Sequence, residues 1–270
     1  MTKLSSQPIG IFDSGIGGLS VVKSIMQQLP HEDIIYFGDI ARLPYGTKSV
    51  ATIRKFAAQT AHFLLQQNVK AIVIACNTIS AVAKDEVKKL AGNTPVLDVI
   101  SAGSSACSSI SKNNNIGVIA TPATVKSMAY PKSIKKINPN LKVIQAACTL
   151  FVPLIEDGYI KHRALNLIAK EYLQPLIDGQ IDTLVLGCTH YPIIQDTLAQ
   201  ILGKKVTIID PAFTTCKNLM NVLQANNALN QTKHKAKYKF YVTELAPNFN
   251  RIGEMFLNAK LSKPILVNLE

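Results

Sequence analysis

The 270-residue sequence predicts an α/β fold: two similar α/β domains with mostly parallel sheets, related by pseudo-twofold symmetry, with a cleft between them. Three observations lead there. Short β-branched runs alternate with helix-patterned stretches along the chain. The order is also duplicated. Ile9-Gly10-Ile11-Phe12-Asp13 resembles Ile116-Gly117-Val118-Ile119-Ala120-Thr121, and residues 33–37 answer to 141–145. From Ile9 the second run begins 24 residues on and Cys76 lies 67 on; from Ile116 the offsets are 25 and 72. Any α/β protein repeats βα units at about this spacing, so the register of the cysteines is what favours a structural repeat. That register is the third observation. Cys76 ends the run at 71–75 and Cys188, 112 residues later, ends the run at 183–187. Ligands of open parallel sheets bind beyond the carboxyl ends of the strands, so both thiols are expected to face one cleft.

Strands are expected at residues 9–12, 33–37, 71–75, 95–99, 116–120, 141–145, 183–187, 206–209 and 237–243. Most read as continuous apolar runs, the pattern of strands buried on both faces. Between them Leu19, Val22, Ile25, Met26 and Leu29 recur at helical spacing. So do Phe56, Thr60, Phe63 and Leu64, and later Ile194, Leu198, Ile201 and Leu202, each set an apolar stripe able to cover a sheet. Strand ends meet Asp98 and Asp210-Pro211, where the chain is expected to pass between domains. The first domain is then discontinuous, 1–98 plus 211–270, and the second is 99–210. Near the end, Lys233, Lys235, Lys237 and Lys239 alternate ahead of Phe240-Tyr241-Val242 and read as a charged edge strand that resists aggregation.

Composition narrows the class. Hydrophobic residues make up 47%, enough for a large core, yet no apolar run nears the roughly 18 residues of a membrane span. Residues 1–8 lack the apolar centre of a signal peptide, and five cysteines without paired spacing argue against a disulfide framework. A reducing cytoplasm, and no membrane, is expected. The net charge of +12 favours anionic ligands, but the lysines are dispersed and no nucleic-acid-binding signature accompanies them, so no nucleic-acid partner is expected.

The first strand runs into Asp13-Ser14-Gly15-Ile16-Gly17-Gly18, whose glycines let backbone approach a ligand ahead of a helix N-terminus. Ser20 stands where a dinucleotide fingerprint needs glycine or alanine, and no Gly-Lys-Ser/Thr follows, so neither a dinucleotide nor a phosphate loop is read. A thiol titrates at about 8.5 and works as a base only when ionised, so each cysteine needs a helper. His190 follows Cys188 at one remove; Asp13, on a neighbouring strand end, is the candidate for Cys76. Cys107, Cys148 and Cys216 read as core filler. Cys188-Thr189-His190 is too tightly spaced for a zinc site, and no lysine sits in a Schiff-base context, so no metal and no cofactor are expected.

These segments, with Leu43-Pro44-Tyr45-Gly46, Ala75-Cys76-Asn77-Thr78, Thr121-Pro122-Ala123-Thr124, Lys126-Ser127, Val152-Pro153-Leu154-Ile155-Glu156 and Gly187-Cys188-Thr189-His190-Tyr191-Pro192, resemble in order the glutamate racemases of the cofactor-independent aspartate/glutamate racemase superfamily. The resemblance runs from about residue 8 to residues 240–243. Two departures are visible: Thr149 where that family often has proline, and Ala123 where it often has glycine.

The resemblance implies interconversion of L- and D-glutamate, a small-molecule substrate, without cofactor, supplying D-glutamate for peptidoglycan. It implies Cys76 and Cys188 as the two acid/base catalysts with Asp13 and His190 as helpers. Asp13, Ser14, Tyr45, Gly46, Asn77, Thr78, Thr121, Thr124, Thr189 and His190 would hold the substrate, and Glu156 would sit near its ammonium or assist the second base. A homodimer stays open. An aspartate racemase or another two-cysteine isomerase would share both thiols; a ligand-binding regulatory protein would have no need of both.

Overall fold

The structure is a computed structural model that describes residues 4–232, 234–245 and 249–269. Its strands are β1 (Ile9–Asp13), β2 (Ile34–Gly38), β3 (Ala71–Ile74), β4 (Val96–Asp98), β5 (Asn115–Ala120), β6 (Lys142–Ala147), β7 (Thr183–Gly187), β8 (Thr207–Ile209), β9 (Tyr238–Val242) and β10 (Ile265–Leu266). Its helices are α1 (Leu19–Gln28), α2 (Val50–Gln66), α3 (Asn77–Ala91), α4 (Val99–Ile110), α5 (Pro122–Ser127), α6 (Ala129–Ile137), α7 (Phe151–Glu156), α8 (Arg163–Asp178), α9 (Gln195–Leu202), α10 (Pro211–Ala225) and α11 (Phe249–Leu257).

All strand pairs are parallel, in two sheets ordered β10-β9-β2-β1-β3-β4 and β6-β5-β7-β8. The order β2-β1-β3-β4 recurs as β6-β5-β7-β8, and the registers correspond. Ile9 stands opposite Ile34 and Ala71, as Ile116 stands opposite Val143 and Thr183. Every residue of β1, β2, β3 and β7 is buried, because helices cover both faces of these strands.

The two sheets exchange chain at matched points. Asp98 ends β4 and its carboxylate accepts from the Ser101 N–H at 2.9 Å, starting α4. Asp210 follows β8 and accepts from the Ala212 N–H at 2.9 Å, starting α10, with Pro211 in the first turn. Helix α4 then packs on β7 and α6 of the second sheet, and α10 packs on α1 and β4 of the first. A buried ion pair closes the return. Lys70, just before β3, bonds Glu32 and donates to the carbonyls of Ser5 (2.8 Å) and Ala228 (2.9 Å), while Glu32 accepts from the Asn230 N–H at 2.8 Å.

Two expectations change at the far edge of the first sheet. Strand β9 is not an edge strand: it pairs with β2 along its length and with β10 at Tyr241 and Val242. Its exposed lysines, Lys235, Lys237 and Lys239, lie at and before the half that β10 leaves uncovered, and Lys233 lies outside the described residues. Strand β10 is two residues long, too short for periodicity to reveal. Among the described residues no helix is long and apolar enough to cross a membrane.

Candidate active site

The site is built from the carboxyl ends of both sheets. Asp13 is the last residue of β1 and is 1% exposed. Its Oδ2 accepts from the N–H groups of Gly15 and Gly18, each at 3.1 Å, so the carboxylate lies at the amino end of α1. Its Oδ1 has no hydrogen-bond partner among the described residues. Burial raises the Asp13 pKa; the charge of His190 and the two N–H donors work against that rise.

Cys76 leaves β3 and stands at the N-cap of α3. Its Sγ donates to Ser14 Oγ at 3.4 Å. Burial, then the Asp13 charge, push its pKa up to about 12, while Ser14 and the Ile79 N–H pull it back. Cys76 therefore rests as a thiol.

The opposite wall comes from the second sheet. Cys188 follows β7, and its Sγ lies 3.9 Å from His190 Nδ1. His190 Nε2 lies 2.8 Å from Oε1 of Glu156, the last residue of α7. Burial disfavours the imidazolium, but the bonds and charges of Cys188 and Glu156 outweigh it, and the His190 pKa rises to about 10. The two walls touch through glycine. A Cβ on Gly17 would lie 2.4 Å from Thr189 Oγ1 and 2.5 Å from His190 Nδ1, so only a residue without a side chain fits between the loop after β1 and the loop after β7.

Both thiols line one cavity of about 490 Å³, together with Ser14, Tyr45, Gly46, Asn77, Thr78, Thr121, Glu156, Thr189 and His190. All five cysteines are free. Asp13 and Thr124, expected to hold substrate, are not among the residues that line this cavity. Asp13 supports the Ser14–Gly18 loop, and Thr124 Oγ1 bonds Thr121 Oγ1 (3.1 Å) and Thr78 Oγ1 (3.4 Å). Thr78 and Thr121 are themselves 3.0 Å apart across the two halves. A second cavity, about 570 Å³ and lined by Arg54, Lys84, Lys89 and neighbours, contains none of the expected site residues, so the chemistry is assigned to the first. Among the described residues no cluster of three or more His, Cys, Asp or Glu is arranged to hold a metal ion.

Several residues at the site escape sequence reasoning. Cys148 is buried in the core, as expected, and also lines the cavity. It follows the end of β6 as Cys188 follows β7, but its strand carries no neighbouring polar motif to mark it. Burial, then the Cys188 charge, raise its pKa far above the ordinary range. Cys107 and Cys216 are fully buried in the core, as expected. Thr149 lines the cavity too, its hydroxyl 2.9 Å from that of Tyr172, and Ala123 lies in the first turn of α5. Asp39 is buried and bonds the Tyr45 hydroxyl, Arg42 Nε (2.8 Å) and Thr243 Oγ1 (3.0 Å), which fixes the loop carrying Tyr45. Tyr130 reaches from α6 to Asn77 Oδ1 at 2.8 Å.

Comparison with known proteins shows the family. The sequence profile of the Asp/Glu/Hydantoin racemase family matches residues 9–219. The glutamate racemase of Neisseria meningitidis serogroup A is 48% identical over 263 residues, 97% of each chain. The crystal structure of glutamate racemase from Francisella tularensis in complex with D-glutamate is 53% identical, covers 98% of this chain and 99% of its own, and superposes with a TM-score of 0.94. An aspartate racemase homologue from Pyrococcus horikoshii, 17% identical over 81% of this chain and 99% of its own, shares the fold with a TM-score of 0.58. A profile over most of the chain and near-full-length relatives around one-half identical leave one reading: the chain belongs to the Asp/Glu/Hydantoin racemase family, as an amino-acid racemase and so an isomerase.

Proposed function

We propose that this chain interconverts L- and D-glutamate by proton transfer between two thiols, without a cofactor, and supplies D-glutamate for peptidoglycan in the cytoplasm. The observation that supports the reading is that Cys76 and Cys188, one from each sheet, line the same cavity, with Ser14 Oγ 3.4 Å from the first thiol and His190 Nδ1 3.9 Å from the second. The relatives named glutamate racemase, one of them bound to D-glutamate, support the substrate.

From the L side, Cys188 removes the α-proton with the His190 imidazolium beside it as counter-charge, and the Cys76 thiol delivers a proton to the opposite face. From the D side, Cys76 must first lose its proton, and the unpartnered Asp13 Oδ1 is placed to accept it. Asp13 then acts through Cys76, and Glu156 acts through His190. The carbanion is stabilised by positioned donors: the N–H groups that open α3 and α5, and the hydroxyls of Ser14, Thr78, Thr121 and Thr189. Holding Cα between two bases makes proton removal and return a local event, which is the entropic part of the acceleration. The exchange of chain after Asp98 and Asp210 supports two domains, 1–98 plus 211–270 and 99–210, with the cavity between them; a homodimer of such units is compatible with this reading.

Circular dichroism of purified protein given L-glutamate, L-aspartate, L-glutamine or L-alanine, with nothing else added, tests the proposal. Glutamate should lose its signal orders of magnitude faster than the others, because analogues that leave buried polar groups unmatched are strongly rejected. Aspartate turned over as fast as glutamate would move the assignment to the aspartate racemases. Activity that depended on pyridoxal phosphate or was lost to a chelator would overturn the mechanism.

A further inference from the structure

His190 and Glu156 are held from outside the cavity by one helix near the end of the chain. Helix α11 buries Phe249, Ile252, Gly253, Phe256 and Leu257 and packs on α1. Two of its residues reach the far wall of the site. The Phe256 ring meets the His190 ring edge-on, with centroids 5.2 Å apart and planes at 84°. Arg251 Nη2 donates to the backbone carbonyl of Glu156 at 2.8 Å.

The second contact has a clear physical reason. Glu156 is the last residue of α7, and the final carbonyls of a helix lack partners within it. The turn that follows uses the N–H groups of Asp157 and Gly158 for the carbonyls of Pro153 and Ile155, with Gly158 at φ +82°. The Glu156 carbonyl is left for Arg251, a cation at the negative end of the helix. Arg251 thus fixes the backbone from which the Glu156 carboxylate reaches His190. Phe256 limits the tilt of the same imidazole. Neither residue lines the cavity.

We infer that Arg251 and Phe256 are positioning residues that hold Glu156 and His190 in register with Cys188, so that α11 sets the competence of one of the two acid/base groups and not of the other. This rests on the two-thiol reading above. On the Cys76 side Asp13 and Ser14 are placed by the loop after β1 and the start of α1, and among the described residues no hydrogen bond or ring contact joins Arg251 or Phe256 to Asp13, Ser14 or Cys76.

The test separates the two faces with glutamate carrying chloride at Cβ. A thiolate takes the α-proton, chloride leaves with its bonding electrons, and the resulting dehydroamino acid hydrolyses to a 2-oxo acid that is assayed. Cys76→Ser should process the L-analogue through Cys188, and Cys188→Ser the D-analogue through Cys76. Adding Arg251→Ala or Phe256→Leu should slow the first reaction by about tenfold, a loss of about 1.4 kcal/mol in transition-state stabilisation, and leave the second within about twofold. Arg251→Lys, which keeps a cationic donor, should recover most of the loss, and Asn250→Ala, exposed on the same helix, should change neither. In the otherwise wild-type protein, Arg251→Ala should also move the alkaline limb of the racemisation profile to lower pH, since a displaced Glu156 no longer supports the His190 imidazolium. Equal losses on both faces, or none on the L face, overturn the inference while the two-thiol reading stands. If neither parent variant eliminates chloride, the two-thiol reading falls and takes the inference with it.

Discussion

Cys76 and Cys188 occupy equivalent places in the two copies of one strand order, yet their neighbours differ in charge. A carboxylate stands behind Cys76 and an imidazole beside Cys188. Replacing either cysteine by serine leaves a hydroxyl too weakly acidic to exchange the α-proton, so glutamate racemisation should fall by about 100- to 10,000-fold in both variants. A single variant that racemises at near wild-type rate in a polarimetric assay would show that one base serves both faces. The second expectation is a pH dependence. His190 is raised from 6.5 to about 10 on folding, so the folded state binds this proton more tightly. The stability it contributes is complete below the unfolded value of 6.5 and is lost as pH climbs through about 10. Urea unfolding of Cys76→Ser, with and without His190→Asn, isolates this proton, since Cys76 itself is raised from 9.0 to about 12 and acts in the same direction. The stability gap between the two proteins should narrow from pH 6.5 to pH 10; a constant gap would contradict the assignment.

Elements bring these groups together only where backbone can come close to a neighbouring loop. At the site this happens at Gly17, whose backbone lies against the Thr189 and His190 side chains of the turn after β7. Gly17→Ala should displace His190 and reduce kcat by about 100-fold, at a stability cost of about 1–3 kcal/mol from overpacking. Unchanged kcat with a normal melting temperature would mean that the two loops are free to separate. Away from the site, Lys70 and Glu32 tie the segment after α10 to the starts of β2 and β3, and both side chains are almost wholly buried. Lys70→Met leaves an unpaired buried carboxylate and should cost about 3–5 kcal/mol in urea unfolding, whereas Lys70→Met with Glu32→Leu should cost less than the single change. A double variant weaker than the single would refute that account.

At the scale of the whole molecule, side-chain bonds between the halves frame the cavity. Thr78 meets Thr121 and Thr124, and Tyr130 of α6 donates to Asn77 at the start of α3. Asn77 lines the cavity next to Cys76, so Tyr130→Phe should free its side-chain amide and raise KM for glutamate by about tenfold, while costing only about 1 kcal/mol of stability. If KM is unchanged and stability alone drops, Tyr130 serves the core and not the site.

The sequence by itself determined the α/β class, the nine longer strands to within about two residues at each end, and the order of the repeat; burial on both faces writes continuous apolar runs at β1, β2, β3 and β7, and the regular βα spacing locates the rest. It also placed Cys76 and Cys188 at strand ends, since their position depends only on where each run stops. What only the tertiary structure decided depends on contacts between segments far apart in sequence. Cys148 reads as core and is core, but that it also borders the cavity shows only once β6 is placed beside β5. Asp13 and Thr124 carry the same expectation as the cavity-lining residues, and only the packed chain shows that they do not line the cavity, since sequence gives the end of a strand but not the depth of a side chain. Strand β9 reads as an edge until the two residues of β10 pair with it. Arg251 and Phe256 carry no motif at all; they matter because α11 folds back over α1 and reaches a wall built some 60 to 100 residues earlier in the chain. Local pattern records how a segment is buried, and only the packed chain decides which groups share a cavity and which do not.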